Sequence, residues 1–203
     1  MKSVTCILGS PRSNGNSAIL ANEFCESAQK AGAIVDKHQL SELNYRGCQN
    51  RFDCKTTSDR CTQDDDLTAV LEAVRAADIV VLASPIYFTD VTGQLKSCLD
   101  RWFSFFVPDY ARAKHKSRLS GGKTLVFVQT QGEGEERYAD ILEKYSHSFG
   151  WLGFTEFHLI RAWGIREAGE VHRHPEVLAR ARELGAQLAR QTVNLAAQDF
   201  NHV

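Results

Sequence analysis

Two short runs constrain this chain more than anything else in its sequence. Asp78–Ser84 (DIVVLAS) and Thr124–Thr130 (TLVFVQT) are almost continuously apolar, without the in–out alternation of a half-exposed strand. A strand of that kind is buried on both faces, which requires a parallel sheet covered by helices on each side. The flanking sequence supplies the rest. Ser3–Leu8, Ala33–Leu40 and Phe154–Ile160 read as further strands. Asn16–Ala31, Asp64–Ala77, Gly93–Phe106, Glu135–Phe149 and Pro175–Ala189 repeat apolar residues at helical spacing. Gly32 stands where the first helix should stop. Acidic residues 64–66 load the positive end of the second, and Pro175 opens the last. Ser41–Gln63 has no apolar period and reads as a long loop.

Five strands alternating with five helices predict an α/β fold: a doubly wound, five-stranded parallel sheet with helices on both faces. Right-handed crossovers favour the order 2-1-3-4-5. The expected domain spans residues 1–193, with a loose tail over 194–203. A chain of 203 residues buries roughly 70% of the surface its unfolded form exposes, so it needs no disulfide or metal to hold a core. In a sheet of this order, ligands bind at the switch point between the first and third strands, beyond the strands' carboxyl ends. Three loops then converge: those after Leu8, Ser84 and Thr130.

Composition narrows the partners. With 24 basic and 25 acidic residues the net charge is −1, which offers no electrostatic grip on nucleic acid or an anionic membrane. No window approaches the ~20 apolar residues that span a bilayer. Three of the six cysteines fall in predicted core elements and three in one loop, unlike a disulfide framework. Met1–Leu8 runs into a strand without a leader pattern, so the expected location is cytoplasmic.

The loop after the first strand, Gly9-Ser-Pro-Arg-Ser-Asn-Gly-Asn-Ser17, is rich in hydroxyls and amides and ends at a helix N-terminus. Free backbone N–H groups and the helix dipole make such an end an anion site. The candidate ligands are Ser10, Arg12, Ser13, Asn14, Asn16 and Ser17. The loop lacks the GK[ST] triplet of a triphosphate loop and the G-x-G-x-x-G of a dinucleotide turn, and its mostly neutral donors suit one terminal phosphate. Two other readings stand beside this. The loop could be a plain capping turn. Alternatively, Cys6-x5-Arg12-Ser13 formally fits a cysteine-dependent phosphatase, although Cys6 shares the inward parity of Val4 and Leu8, and a buried thiol is inert.

The loop after the third strand, Ser84-Pro-Ile-Tyr-Phe-Thr-Asp90, places aromatics beyond a buried strand, where the core does not need them. Pro85, Ile86, Tyr87 and Phe88 offer a flat apolar surface of the kind an isoalloxazine ring requires. Tyr87 and Phe88 could equally cover the following helix. A phosphate cradle beside a flat surface favours one ligand with both parts, flavin mononucleotide (FMN).

These residues also carry a resemblance. Gly-Ser-Pro-Arg-x-x-Gly-Asn-Ser after the first strand is similar to the phosphate loop of NADPH-dependent FMN reductases and iron–sulfur flavoproteins. Ser84–Phe88, followed by Gly93-Gln-Leu-Lys96 and Asp100-Arg101, resembles that family's ring-binding loop and next helix. The resemblance covers about residues 1–190. It implies a flavodoxin-like fold, with FMN held through Ser10, Arg12, Asn16 and Ser17 at the phosphate and through Pro85–Phe88 at the ring. It also implies NAD(P)H as donor and a quinone-like, flavin or other aromatic acceptor. An FMN-binding electron carrier without NAD(P)H turnover is the alternative.

After the fourth strand, Thr130-Gln-Gly132-Glu-Gly134 is placed by topology near the ring's other edge, and its glycines allow close backbone approach. Thr130 and Gly132 join the candidate site. No general acid or base is assigned, because the flavin carries the redox chemistry itself. Cys48-x5-Cys54-x6-Cys61 resembles the cluster loop of the iron–sulfur flavoproteins, but Arg51 stands where a cysteine should be. A [4Fe–4S] cluster takes four thiolates and structural zinc four ligands, so no cluster and no metal site is expected. Arg112–Arg118 and His172–His174 read as solvated surface. Trp102, Phe103, Phe105 and Phe106 exceed what one helix face buries, which predicts a homodimer or homotetramer.

Overall fold

The structure, a computed structural model, describes residues 1–191, so the expected tail over 194–203 lies outside the described residues. Its main sheet is parallel. β1 (Ser3–Leu8) pairs with β2 (Ile34–Gln39) on one side and with β3 (Ile79–Tyr87) on the other; β5 (Lys123–Thr130) and β6 (Phe154–Ala162) follow. The order β2-β1-β3-β5-β6 is the expected 2-1-3-4-5 once a sixth strand is set aside: β4 (Asp90–Val91), which pairs antiparallel with the end of β3. β3 therefore does not stop at Ser84. It runs through Pro85 and folds back at a hairpin whose turn residues, Phe88 and Thr89, are both left-handed at φ 46° and 73°. That is the twist-matched hairpin geometry, here without glycine.

Strand alternation divides the core in two. Val4, Cys6 and Leu8 of β1, Val81 and Ala83 of β3, and Val126 and Val128 of β5 pack under α1 (Asn16–Lys30) and α6 (Pro175–Arg190). Ile7, Val80, Leu82, Leu125 and Phe127 face the other layer, formed by α3 (Leu67–Ala76), α4 (Gly93–Arg101) and α5 (Ile141–Trp151). α1 and α6 cross closely at Gly185, where an added methyl would collide with the Phe24 carbonyl.

Four elements depart from expectation, each because side chains claim backbone groups. α3 begins at Leu67 rather than Asp64, since Asp66 accepts the Asn44 N–H at 2.6 Å and Asp65 is drawn to Arg101. α4 ends at Arg101 and continues as a 3-10 turn, Trp102–Phe105. The Lys55 ammonium takes the carbonyls of Phe103 and Phe106 there, and Arg118 takes that of Ser104. α5 begins at Ile141 rather than Glu135, because the carbonyls of Arg137 and Tyr138 are held by Arg161 and Gln129. The loop over 41–63 contains a four-residue helix, α2 (Asp53–Thr56).

The 3-10 turn also removes the argument for an oligomer from aromatic excess. It redirects the rings, so that Trp102, Phe105 and Phe106 are buried within the chain. Trp102 stacks on Phe154 at 6.0 Å and leans on Phe149 at 5.4 Å, contacts worth about 0.5–1.5 kcal/mol each beyond their burial. Among the described residues no helix is long and apolar enough to cross a membrane.

Candidate functional site

Four loops meet at the carboxyl ends of the strands, one more than the sequence predicts. The first leaves β1 at Gly9, whose N–H donates to the Ala83 carbonyl at 2.8 Å. A Cβ at Gly9 would lie 2.8 Å from Leu95 Cβ, so only glycine lets the loop pass this close to α4. Ser10 Oγ accepts the Arg12 N–H at 3.1 Å, which curls the loop toward Gly15 and α1.

The start of α1 is chemically unfinished. Its N-cap is Gly15, and no side chain caps the first turn, so its leading N–H groups keep their donor capacity. The Ser17 hydroxyl, in a residue only 1% exposed, has no hydrogen-bond partner among the described residues. A buried polar atom without a partner costs free energy unless something else satisfies it.

A cleft of about 230 Å³ opens onto this point. Of the sequence-predicted residues, Ser10, Arg12, Asn16 and Ser17 line it from the first loop, Pro85, Ile86 and Tyr87 from the second, and Thr130 and Gly132 from the third. Ser13 and Asn14 are exposed outside it. Phe88 points away: the left-handed hairpin turn swings its side chain fully into solvent, at 102% relative exposure. Asn16 lines the cleft, but both ends of its amide are committed. Nδ2 donates to the Glu167 carbonyl at 2.8 Å, and Oδ1 accepts the Val171 N–H at 3.1 Å.

Those bonds tie α1 to the fourth loop, residues 163–171 after β6, which the sequence reading missed. Ile165 and Arg166 line the cleft from it. Arg166 lies over Gly132 and pairs with Glu133 at 3.3 Å. Glu170 holds the turn by accepting the N–H groups of Arg166 and Glu167, which keeps its carboxyl below the usual carboxylate range. The only signal for this loop was topological, because every loop following a parallel strand opens on the same side.

Gln131, also missed, is the keystone of the third loop. Its buried side chain donates to the carbonyls of Gly134 and Arg137 at 2.7 and 2.8 Å, and accepts from Gln129 at 2.7 Å. The second loop is braced from α5. Asp90 pairs with Lys144 and accepts the Tyr145 hydroxyl at 3.0 Å. Partial desolvation raises the Asp90 carboxyl, but Lys144, the Val91 N–H and Tyr145 together hold it below its ordinary value.

The family model for NADPH-dependent FMN reductase matches residues 2–159. The chain belongs to that family. An iron–sulfur flavoprotein of Archaeoglobus fulgidus is 28% identical over 193 residues, 90% of this chain and 77% of its own. An FMN-dependent NADH:quinone oxidoreductase of Pseudomonas aeruginosa is 30% identical over 123 residues, 59% of this chain and 60% of its own. The fold is shared with NAD(P)H:quinone oxidoreductase from Methanothermobacter marburgensis, with a TM-score of 0.72 at 20% identity, covering 94% of this chain and 98% of that one. It is shared also with an FMN-dependent NADH-azoreductase of Bacillus anthracis in complex with FMN, at a TM-score of 0.69 and 16% identity over 93% of this chain and 100% of the other. The architecture is flavodoxin-like, as expected.

Membership excludes the phosphatase reading, and the geometry agrees. Cys6 lies inside β1, fully buried and paired with Lys37 and Val81, not in the loop with Arg12. A hydrogen bond with Cys25 and burial push its thiol well above the ordinary value, the reverse of an activated nucleophile.

The cysteine loop does not fit the cluster that the iron–sulfur relatives' name implies. Cys48, Cys54 and Cys61 line a pocket of about 30 Å³, room for roughly two waters. Arg51 stands where the second cysteine of the motif should be. Cys61 Sγ accepts from Arg101 Nε at 3.1 Å, and Cys54 Sγ from Lys55 Nζ at 3.7 Å. Among the described residues no three His, Cys, Asp or Glu side chains are grouped to hold a metal.

Proposed function

We propose that this FMN reductase holds FMN in the cleft, with the phosphate on the first turn of α1 and the ring between the β3–β4 hairpin and the Gln131–Glu133 turn. The observation that carries this reading is the unpartnered Ser17 hydroxyl at an uncapped helix start, opening into the same cleft as Pro85, Ile86 and Tyr87. Ser17 Oγ and the leading N–H groups of α1 would donate to phosphate oxygens, and Arg12 would supply the positive charge. Ser10 would line the phosphate end with its hydroxyl already accepting from Arg12. Asn16 has a positioning part, fixing the fourth loop against α1. Tyr87 and Ile86 would cover the ring, and the backbone of Thr130 and Gly132 would meet its polar edge.

Bound FMN supplies hydride acceptance from NAD(P)H and its return to an acceptor. The chain's residues bind, orient and shield. Tyr87 lines the cleft and is half-exposed, so it offers aromatic surface where a nicotinamide or a quinone-like, flavin or other aromatic acceptor would stack. Phe88, turned away from the cleft and fully exposed at the hairpin tip, supports self-association as a homodimer or homotetramer. A cytoplasmic setting completes the reading; all six cysteines are free, as suits a reducing compartment.

The test is an FMN titration of stripped protein, followed anaerobically by NADPH or NADH. Quenching of FMN fluorescence and bleaching of the bound flavin by one of the nucleotides are expected. FMN that stays fluorescent, or a bound flavin bleached by neither nucleotide, would overturn the reading.

A further inference from the structure

The three cysteines that do not fit a cluster still share one pocket, and their surroundings differ in a way that sorts them. Cys48 is exposed, whereas Cys54 and Cys61 are half-buried. Cys61 is anchored: its sulfur accepts from Arg101 Nε, and that guanidinium is fixed by Asp65 at 2.7 Å and by the carbonyls of Arg46 and Gln63. The other two sulfurs are held more lightly: Cys48 Sγ accepts the Asn50 N–H at 3.4 Å, and Cys54 Sγ accepts from Lys55 Nζ at 3.7 Å. Between them Asn50 and Phe52 both adopt left-handed backbone, at φ 54° and 62°. Non-glycine residues rarely do so, and here the chain between the two cysteines turns so that both line the same small cavity. Lys55 stands beside Cys54, and the carbonyls of Phe103 and Phe106 fix its ammonium there at 2.6 and 2.8 Å.

We propose that Cys48 and Cys54 form a reversible dithiol–disulfide site, oxidised by exchange with a small-molecule disulfide. The exposed Cys48, as thiolate, attacks one sulfur of the disulfide RSSR; a Cys48–SR bond forms and RS⁻ leaves. The Cys54 thiolate then attacks the Cys48 sulfur, closing the Cys48–Cys54 bond and expelling the second RS⁻. The two protons lost by the cysteines are taken up by the two leaving thiolates. The protein dithiol is oxidised by two electrons, and RSSR is reduced to two RSH. The fixed Lys55 ammonium donates to the Cys54 sulfur, the one that closes the bond. Cys48 is exposed and Cys54 half-buried, so a small disulfide in solution reaches Cys48 first. The site is separate from the cleft, so the proposal does not rest on bound FMN.

The experiment exposes the purified chain to oxidised glutathione, then alkylates it under denaturing conditions and maps it by mass spectrometry. Six alkylatable thiols before oxidation should become four, with one peptide pair joined through Cys48 and Cys54. Cys54→Ser should stop at a mixed disulfide on Cys48, Cys61→Ser should still close the bond, and Lys55→Met should close it several-fold more slowly. A bond that maps to Cys61, an unmodified Cys48 in Cys54→Ser, or a stable cluster on these thiols after reconstitution with iron and sulfide would each overturn the proposal.

Discussion

The Thr92 hydroxyl donates to the Gly9 carbonyl at 2.7 Å, joining the phosphate-side loop to the ring-side loop across 83 positions of sequence. Thr92 is fully buried, and the same hydroxyl accepts the Leu95 N–H at 3.2 Å, capping α4. Its own N–H donates to Ser84 Oγ at 3.0 Å, and that hydroxyl donates onward to the Pro85 carbonyl at 2.7 Å. One residue therefore sets the spacing between the two halves of the cleft. Thr92→Val keeps the shape and removes the hydroxyl, leaving the Gly9 carbonyl and the Leu95 N–H unpaired. A loss of about 1–3 kcal/mol is expected. FMN affinity by fluorescence titration should fall between about fivefold and a hundredfold, while Thr92→Ser should restore most of it. Equal FMN affinity in Thr92→Val and the unmutated chain would show that the bond does not set the cleft.

Ser17→Ala separates a binding role from a structural one. The hydroxyl has no partner among the described residues, so its removal should leave the unfolding midpoint of FMN-free protein unchanged or slightly raised. A hydrogen bond to a charged group contributes about 1.5–3 kcal/mol, so FMN affinity should fall by roughly tenfold or more. A midpoint that drops with no change in affinity would move Ser17 from the ligand to the core.

Arg101→Met probes the anchor of the cysteine-bearing loop. The Arg101 side chain is completely buried and takes the carboxylate of Asp65, the carbonyls of Arg46 and Gln63, and the sulfur of Cys61. Burial alone would lower its pKa, but the hydrogen bonds and charges of Asp65 and Cys61 together outweigh it, and the guanidinium is held charged. Removing one partner of a buried pair strands the other, at about 3–5 kcal/mol. Urea unfolding should show that loss, and the segment over 46–65 should become the first site of limited proteolysis. A variant as stable as the parent would contradict the anchoring.

The parallel sheet was legible because its strands declare themselves: DIVVLAS and TLVFVQT leave little choice but burial on both faces. Much of the cleft was legible for the related reason that topology places loops, and residue type says which loops carry chemistry. What stayed hidden depended on tertiary partners. Phe88 reads as a ring-binding aromatic until the Tyr87–Asp90 pairing forces a hairpin whose turn points it outward. Asn16 reads as a phosphate donor until Glu167 and Val171 occupy both ends of its amide. Helix starts at Asp64 and Glu135 were misplaced because Asn44, Arg101, Arg161 and Gln129, distant in sequence, take groups that a helix there would need. Arg101 was visible only as part of a motif, and its burial against Asp65 could not be read from spacing.

Acid should loosen the fold through two carboxylates whose partners are now defined. Partial desolvation raises the Asp78 carboxyl, but the N–H and hydroxyl of Ser3, at 2.7 and 2.9 Å, with Lys2 and Lys123, hold it below the ordinary value. Asp90 is held low in the same sense by Lys144, Val91 and Tyr145. As pH falls, the unfolded chain binds these protons first, at a carboxylate pKa of about 3.9. Each contribution is therefore complete above that pH and is lost as pH drops through the lower folded-state value. Urea midpoints should be steady from about pH 7 to 5 as far as these groups are concerned, then decline below about pH 4. Asp78→Asn and Asp90→Asn should be less stable at pH 7 and decline less on acidification, so that variant and parent converge in acid. Curves that instead stay parallel down to the lowest pH would mean that neither carboxylate is linked to folding as its contacts require.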